Sequence, residues 1–228
     1  MREQLKYKIN IAIDGPAGAG KSTIAKLVSK TFGIIYLDTG AMYRAVALKA
    51  VNEGIDTSSV SALSKLVECI DIKIDYSMGE QRIFVDGKDV TSLIRTPEVS
   101  IGASNVAVVP EVRLKMVELQ RAIAKENSVV MDGRDIGTYV LPDADFKFFL
   151  TASVEERAKR RFLEQTQKGL TGISLEEVKK DIEYRDNNDS NREFAPLKKA
   201  DDAIEVDTTS LNIEQVAEKI IGYIKDRK

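Results

Sequence analysis

Histidine and tryptophan are absent from this 228-residue chain, and cysteine occurs once, at Cys69. The lack of histidine excludes every His-dependent mechanism and Cys/His zinc sites, and a single thiol excludes disulfides within the chain. Cys69 itself reads as a small core residue. Neither sign of charge dominates: Lys plus Arg is 34, Asp plus Glu is 36, and the formal net charge is -2. Nothing therefore draws the chain as a whole toward a nucleic-acid polymer or an anionic membrane, and any anion site must be local. The stretch from Met1 to Lys8 is polar, and no apolar run approaches the ~18 residues of a transmembrane helix. The expectation is a cytoplasmic chain with no membrane or polymer partner, and nothing demands more than a monomer. The length suits one α/β domain, residues 1–228, with a good core and a small insertion.

What is present is sharply placed. Gly15-Pro16-Ala17-Gly18-Ala19-Gly20-Lys21-Ser22 matches G-x-x-x-x-G-K-[ST] without a gap. Ile9, Ile11 and Ile13 read as a short buried strand before it, and Ile24, Ala25, Leu27 and Val28 follow with helical spacing. By residue frequencies alone, one such match in a chain of this length is an accident of about one in a hundred. Glycines let the backbone turn its N–H groups inward, and the helix start adds partial positive charge, so the loop cradles phosphates. Lys21 is expected to reach the β- and γ-phosphates of a bound nucleotide, the Ser22 hydroxyl to hold Mg²⁺, and Thr23 to complete the nucleotide-binding run.

Further along, Ile34 to Leu37 reads as a second strand, Asp38-Thr39-Gly40 opens a helix to about Val51, and Leu63, Leu66, Val67 and Ile70 mark another. The period then changes to two through Ile70, Ile72, Ile74 and Tyr76, with turn signals at 77–80 and at Asp86-Gly87. This predicts an antiparallel insertion at about 70–95. Helical spacing returns at Val112, Met116, Leu119 and Ile123. Val129 to Asp132 and Phe146 to Leu150 read as strands, and charged helices follow from Val154 to Gln167 and from near Leu175. Ala203 to Val206 reads as the last strand before an amphipathic helix carrying Val216, Ile220 and Ile224. Alternating short strands and helices predict an α/β fold with a parallel sheet and helices on both faces.

A phosphate loop does not name a reaction. A guanine-nucleotide switch is disfavoured because neither its D-x-x-G nor its N-K-x-D occurs. Arg44 and Arg134 each follow a strand's C-terminal end, the edge where open α/β sheets bind ligands, and suggest a second anion held in forked geometry. Arg157, Arg160 and Arg161 share one helix face beside Gly169 to Gly172, which reads either as an ion-paired exposed face with Glu155, Glu156 and Glu164 or as a mobile lid over a transferring phosphoryl group. Without histidine, an acceptor that is already dianionic, as a phosphate monoester is at neutral pH, needs only positioning and charge neutralisation. Asp132 could still serve as a base toward a small hydroxylated metabolite, and a nucleotide-binding module without activity is a third reading.

The ordered set Asp14-Gly15-Pro16 with the loop, Leu37 to Arg44, Ile94 to Val99, Asp132-Gly133-Arg134-Asp135-Ile136-Gly137-Thr138, Glu156 to Arg161, and Arg185, Asp189 and Arg192 resembles the bacterial cytidylate kinases. The likeness runs from about residue 8 to 225. It implies a P-loop nucleoside monophosphate kinase fold with a monophosphate-binding part at about 39–110, enlarged by the insertion, and a lid at about 157–173. The implied reaction is phosphorylation of CMP and dCMP by ATP. By the resemblance, Lys21, Asp132, Arg134, Arg157 and Arg161 carry the transfer, and Thr39 and Tyr43 line the acceptor site. Arg44, Arg134 and Arg192 hold the acceptor phosphate, Arg185 and Asp189 the ribose, and Ser104, Arg113 and Asp135 the cytosine. Thr39 stands where many relatives have Ser, which keeps the hydroxyl, and Asn188 stands where some carry Arg.

Overall fold

The computed structural model describes residues 8–77, 79–167, 169 and 172–227. In chain order the first elements are β1 (Asn10–Asp14), α1 (Lys21–Phe32), β2 (Ile35–Asp38), α2 (Thr39–Asn52), α3 (Val60–Cys69), β3 (Ile72–Asp75), β4 (Arg82–Val85) and β5 (Lys88–Asp89). They are followed by α4 (Pro97–Val106), α5 (Pro110–Glu126), β6 (Val129–Gly133), a π-helical turn (Ile136–Val140), β7 (Phe146–Thr151), α6 (Val154–Gln167), α7 (Leu175–Asn191), β8 (Ile204–Asp207) and α8 (Ile213–Asp226). The chain divides into two compact units. One takes the described residues of Met1–Tyr36, Asn127–Asn191 and Ala195–Lys228, the other Leu37–Glu126 and Arg192–Phe194. The antiparallel segment expected at 70–95 lies within the second.

The first unit is built on a five-stranded sheet in the order β2-β6-β1-β7-β8, flanked by helices. β1 pairs in parallel with β6 on one side and β7 on the other, and β7 pairs in parallel with β8. Ile11 to Asp14 are all buried rather than alternating, as a central strand covered on both faces requires. Ile24, Ala25, Val28 and Phe32 turn one face of α1 onto that sheet, joined by Val216, Ile220 and Ile224 of α8. Because β1 and β6 run parallel with Asp14 opposite Gly133, the turns after both strands leave from the same edge. That register, not local sequence, brings Gly15 beside Arg134 and Asp135.

The second unit carries α2 to α5 and a three-stranded antiparallel sheet, β3-β4-β5. The expected insertion is therefore present, its pairing set by Ile72 opposite Val85 and Phe84 opposite Asp89. One expectation fails: Cys69 is exposed, not core. α3 buries Leu63, Leu66 and Val67, which are three and four residues apart, and Cys69 falls on the other side of the last turn. Of the anticipated lid at 157–173, residues 168, 170 and 171 lie outside the described residues. Among the described residues no helix is long and apolar enough to cross a membrane.

Candidate functional site

In the first unit the loop after β1 takes a shape that only glycine permits at its first position. Gly15 has φ 142°, and a Cβ there would stand 2.0 Å from the Leu150 carbonyl oxygen on the neighbouring strand. Gly20 ends the loop in the left-handed region and caps α1, whose first residue is Lys21. The free N–H groups of the first helical turn are thus turned into the loop. Lys21 is buried, and its Nζ donates to the Pro16 carbonyl at 2.7 Å. Burial and the Arg134 guanidinium push its ammonium down to about 7, against the opposing pull of Asp132 and Asp189. A buried ammonium of this kind favours a further negative charge beside it.

Ser22 Oγ donates to Asp132 Oδ2 at 2.7 Å, and the Tyr36 hydroxyl donates to Asp132 Oδ1 at 2.9 Å. A hydroxyl and one oriented carboxylate fit Mg²⁺, which keeps several waters and is otherwise held by substrate phosphates.

Arg134 and Asp189 are joined at 2.6 Å. Burial works against the Arg134 charge, but Asp189, with Asp186 and Asp132 behind it, raises its pKa above the ordinary value. Arg157 is buried and reaches the loop itself: NH1 donates to the Ala17 carbonyl at 3.0 Å and to Asp186, while Asp186 Oδ1 accepts from Ala17 N–H at 3.3 Å. Its partners on the same face are placed differently. Arg160 binds Glu156 and the Thr208 hydroxyl and carbonyl, and Arg161 pairs with Glu164 at 3.1 Å. Asp135, at the entrance to the π-helical turn, is buried, and Arg185 and Asp189 both lie within α7.

In the second unit Asp38 organises the start of α2. Its carboxylate accepts from Ala41 N–H at 2.9 Å, from Arg44 at 2.8 Å and from Arg95 at 3.1 Å. Burial raises the Asp38 pKa, but the two guanidiniums outweigh it and hold the carboxyl below its ordinary range. Gln81, from the insertion, accepts from Asp38 N–H and donates to its carbonyl. One carboxylate shared by two guanidiniums leaves a net positive charge suited to an anion. Thr39 is buried beside Asp38, and Tyr43 lies a turn further along α2. The Arg113 guanidinium, fully buried, lies 5.6 Å from the Tyr43 ring centre and 5.8 Å from that of Phe194, giving a cation between two aromatic faces. Ser104 is buried on α4, and Arg192 is buried two residues before Phe194.

The structure therefore gathers Gly15 to Thr23, Asp132, Arg134, Asp135, Arg157, Arg185 and Asp189 in one unit, and Thr39, Tyr43, Arg44, Ser104, Arg113 and Arg192 in the other. Arg161 is drawn instead to its own helix neighbour, Glu164. Sequence reasoning did not assign roles to Asp14, Tyr36, Gln81, Arg95, Asp186 or Phe194. The signal available for Asp14 was a carboxylate ending an otherwise apolar strand, and for Asp186 its place in the polar run 185–192.

Comparison with known proteins gives a match to the family model described as cytidylate kinase over residues 11–226. A protein of Limosilactobacillus fermentum named cytidylate kinase is 55% identical over 218 residues, 95% of this chain and 96% of that one. One of Caldicellulosiruptor saccharolyticus with the same name is 53% identical over 214 residues, covering 94% of each chain. Among solved structures, an uncharacterized protein from Eubacterium ventriosum superposes with a TM-score of 0.51 at 13% identity, covering 96% of this chain and 99% of that one. That last likeness concerns fold alone.

Proposed function

This chain belongs to the cytidylate kinase family, and from that premise we infer that it transfers the γ-phosphoryl group of ATP to CMP and dCMP, giving ADP with CDP or dCDP. The observation that carries the reading is the family match over residues 11–226, supported by a phosphate loop in which Lys21 donates to the Pro16 carbonyl and Ser22 donates to Asp132.

The loop N–H groups from Gly15 to Thr23 cradle the donor phosphates, and Lys21 follows the γ-phosphate as negative charge shifts onto the bridging oxygen. Mg²⁺, when bound, neutralises charge on the β- and γ-phosphates. Ser22 would hold it, and Asp132 orients the Ser22 hydroxyl by accepting its proton in a hydrogen bond. Arg44, Arg134 and Arg192 bind and orient the acceptor phosphate, whose oxygen attacks without a base because it is already deprotonated. Arg157 fixes the loop peptide at Ala17, and Arg161 supplies charge from α6 as the phosphoryl group moves. Arg185 and Asp189 hold the ribose, with Thr39 and Tyr43 beside the acceptor. The 157–173 segment acts as the lid and the 39–110 segment as the monophosphate-binding part. Asp132 as a base for a hydroxyl acceptor is the weaker reading, since both its oxygens are already engaged by the Ser22 and Tyr36 hydroxyls. We place the enzyme in the cytoplasm, with its nucleotide substrates, and take it to act as a monomer.

For the base, Asp135 accepts from the cytosine N4 amino group, while Arg113 and Ser104 serve N3 and O2. Uracil offers O4 where cytosine has N4–H, setting acceptor against acceptor. Opposed or unpaired buried polar groups cost about 1–3 kcal/mol, so CMP should be preferred to UMP by roughly ten- to a hundredfold. The test is ADP release with ATP, Mg²⁺ and CMP, dCMP, UMP, AMP or GMP separately. Turnover with CMP and dCMP, little with UMP and none with purines is expected; turnover led by AMP or GMP would overturn the base assignment. Asp135→Ala should then narrow the CMP to UMP ratio of kcat/KM toward unity, chiefly by loss on CMP.

A further inference from the structure

Asp14, the last residue of β1, is a carboxylate enclosed by protein, and its partners are specific. Oδ1 accepts from the Ile136 N–H at 2.8 Å and Oδ2 from the Gly137 N–H at 2.7 Å. Those two amides open the π-helical turn Ile136–Val140 and have no partner within it. The far end of the turn is closed on Asp135, whose carbonyl accepts from Tyr139 N–H at 2.9 Å and Val140 N–H at 3.1 Å. Asp135 is thus bracketed, its own carbonyl bonded to the end of the turn and the next two peptides bonded to Asp14.

The approach is close enough to constrain the sequence. A Cβ on Gly137 would stand 3.1 Å from Lys147 Cδ and 3.4 Å from Asp14 Oδ2. Holding the charge there is costly, for burial drives the Asp14 carboxyl up to about 7 despite the two N–H donors, and the like charge of Asp135 adds to the rise. A side chain that merely filled space at the end of a central strand would be apolar.

Taking Asp135 as the base reader proposed above, we propose that Asp14 is a positioning residue for acceptor selection: by clamping the Ile136 and Gly137 peptides it fixes the backbone from which the Asp135 carboxylate meets the base. A displacement of even about 1 Å at such a group weakens recognition severely. Asp14 lies next to Gly15, but its carboxylate faces the Ile136 and Gly137 amides.

The experiment is a double-mutant cycle of Asp14→Asn and Asp135→Ala, reading kcat/KM for CMP and UMP and KM for ATP. Asparagine keeps the size of the side chain but sets an N–H₂ against one of the two amides. D14N is expected to narrow the CMP to UMP ratio by about tenfold, with KM for ATP changed less than twofold, and D14N/D135A should show the ratio of D135A alone. A ratio unchanged in D14N beside a narrowed one in D135A overturns the role of Asp14 only, as do fold-changes that multiply in the double variant. A ratio unchanged in D135A overturns the reading of Asp135 and this inference with it. Should D14N fail to fold, Gly137→Ala disturbs the same clamp from the other side, and an unchanged ratio there would overturn the proposal equally.

Discussion

Lys21→Met lowers kcat by roughly a thousandfold or more in the expected outcome, with the fold retained. The magnitude follows from what the side chain does: a buried cation beside the phosphate cradle acts in a medium of low dielectric, where no water replaces it. Methionine keeps the length and the apolar stem. The fold is expected to tolerate the loss because the charge is a cost in the free protein. With its pKa lowered from 10.5 to about 7, Lys21 in the unfolded chain holds a proton that the folded chain has released across that window. Stability of the parent therefore falls as pH drops from about 10.5 toward 7, and K21M lacks this dependence. Denaturation midpoints of both proteins at two pH values within the window, without nucleotide, check the second statement, and turnover with ATP and CMP checks the first. Turnover like the parent's would remove Lys21 from the transfer.

Gly15→Ala should be the most destabilising single substitution in the loop, by roughly 3–5 kcal/mol, enough to prevent accumulation of folded protein. The Cβ would stand 2.0 Å from the Leu150 carbonyl oxygen, at a φ of 142° that alanine strongly disfavours. Neither partner can yield, because both lie in the paired strands β1 and β7 or directly beside them. Gly20→Ala is the control. It shares a positive φ, 88°, but meets nothing within 4 Å, so it should cost only about 1 kcal/mol. Urea unfolding of the two variants separates the steric cost from the dihedral one; equal losses would show that the contact with Leu150 is relieved.

Legible in the sequence is whatever depends on close neighbours along the chain. The strand, glycine loop and helix at 10–32, the change to period two near 72, and the charged helix at 154–167 each follow from spacing of two to four residues. α4 left no such trace: Pro97 to Val106 has Ser100, Gly102 and Ser104 buried, so its apolar stripe is broken. Cys69 is exposed because its helical phase, not its residue type, decides its burial. The finer site was illegible for another reason. The bonds from Asp14 to Ile136 and Gly137, from Tyr36 to Asp132 and from Arg157 to Ala17 join residues 96 to 140 positions apart. They depend on the register of β1 against β6 and on where α6 and α7 settle. A family resemblance supplied Ser104 and Arg113 where spacing could not.

The bonds of Ala17 bear on how this enzyme could be recombined with its relatives. Its N–H is held by Asp186 of α7 and its carbonyl by Arg157 of α6, so the helical hairpin and the phosphate loop share one joint. A chimaera that imports residues 154–191 from another parent must import the loop from that parent as well. Otherwise Asp186 and Arg157 of one parent must fit the Ala17 backbone of a loop that folded with the other.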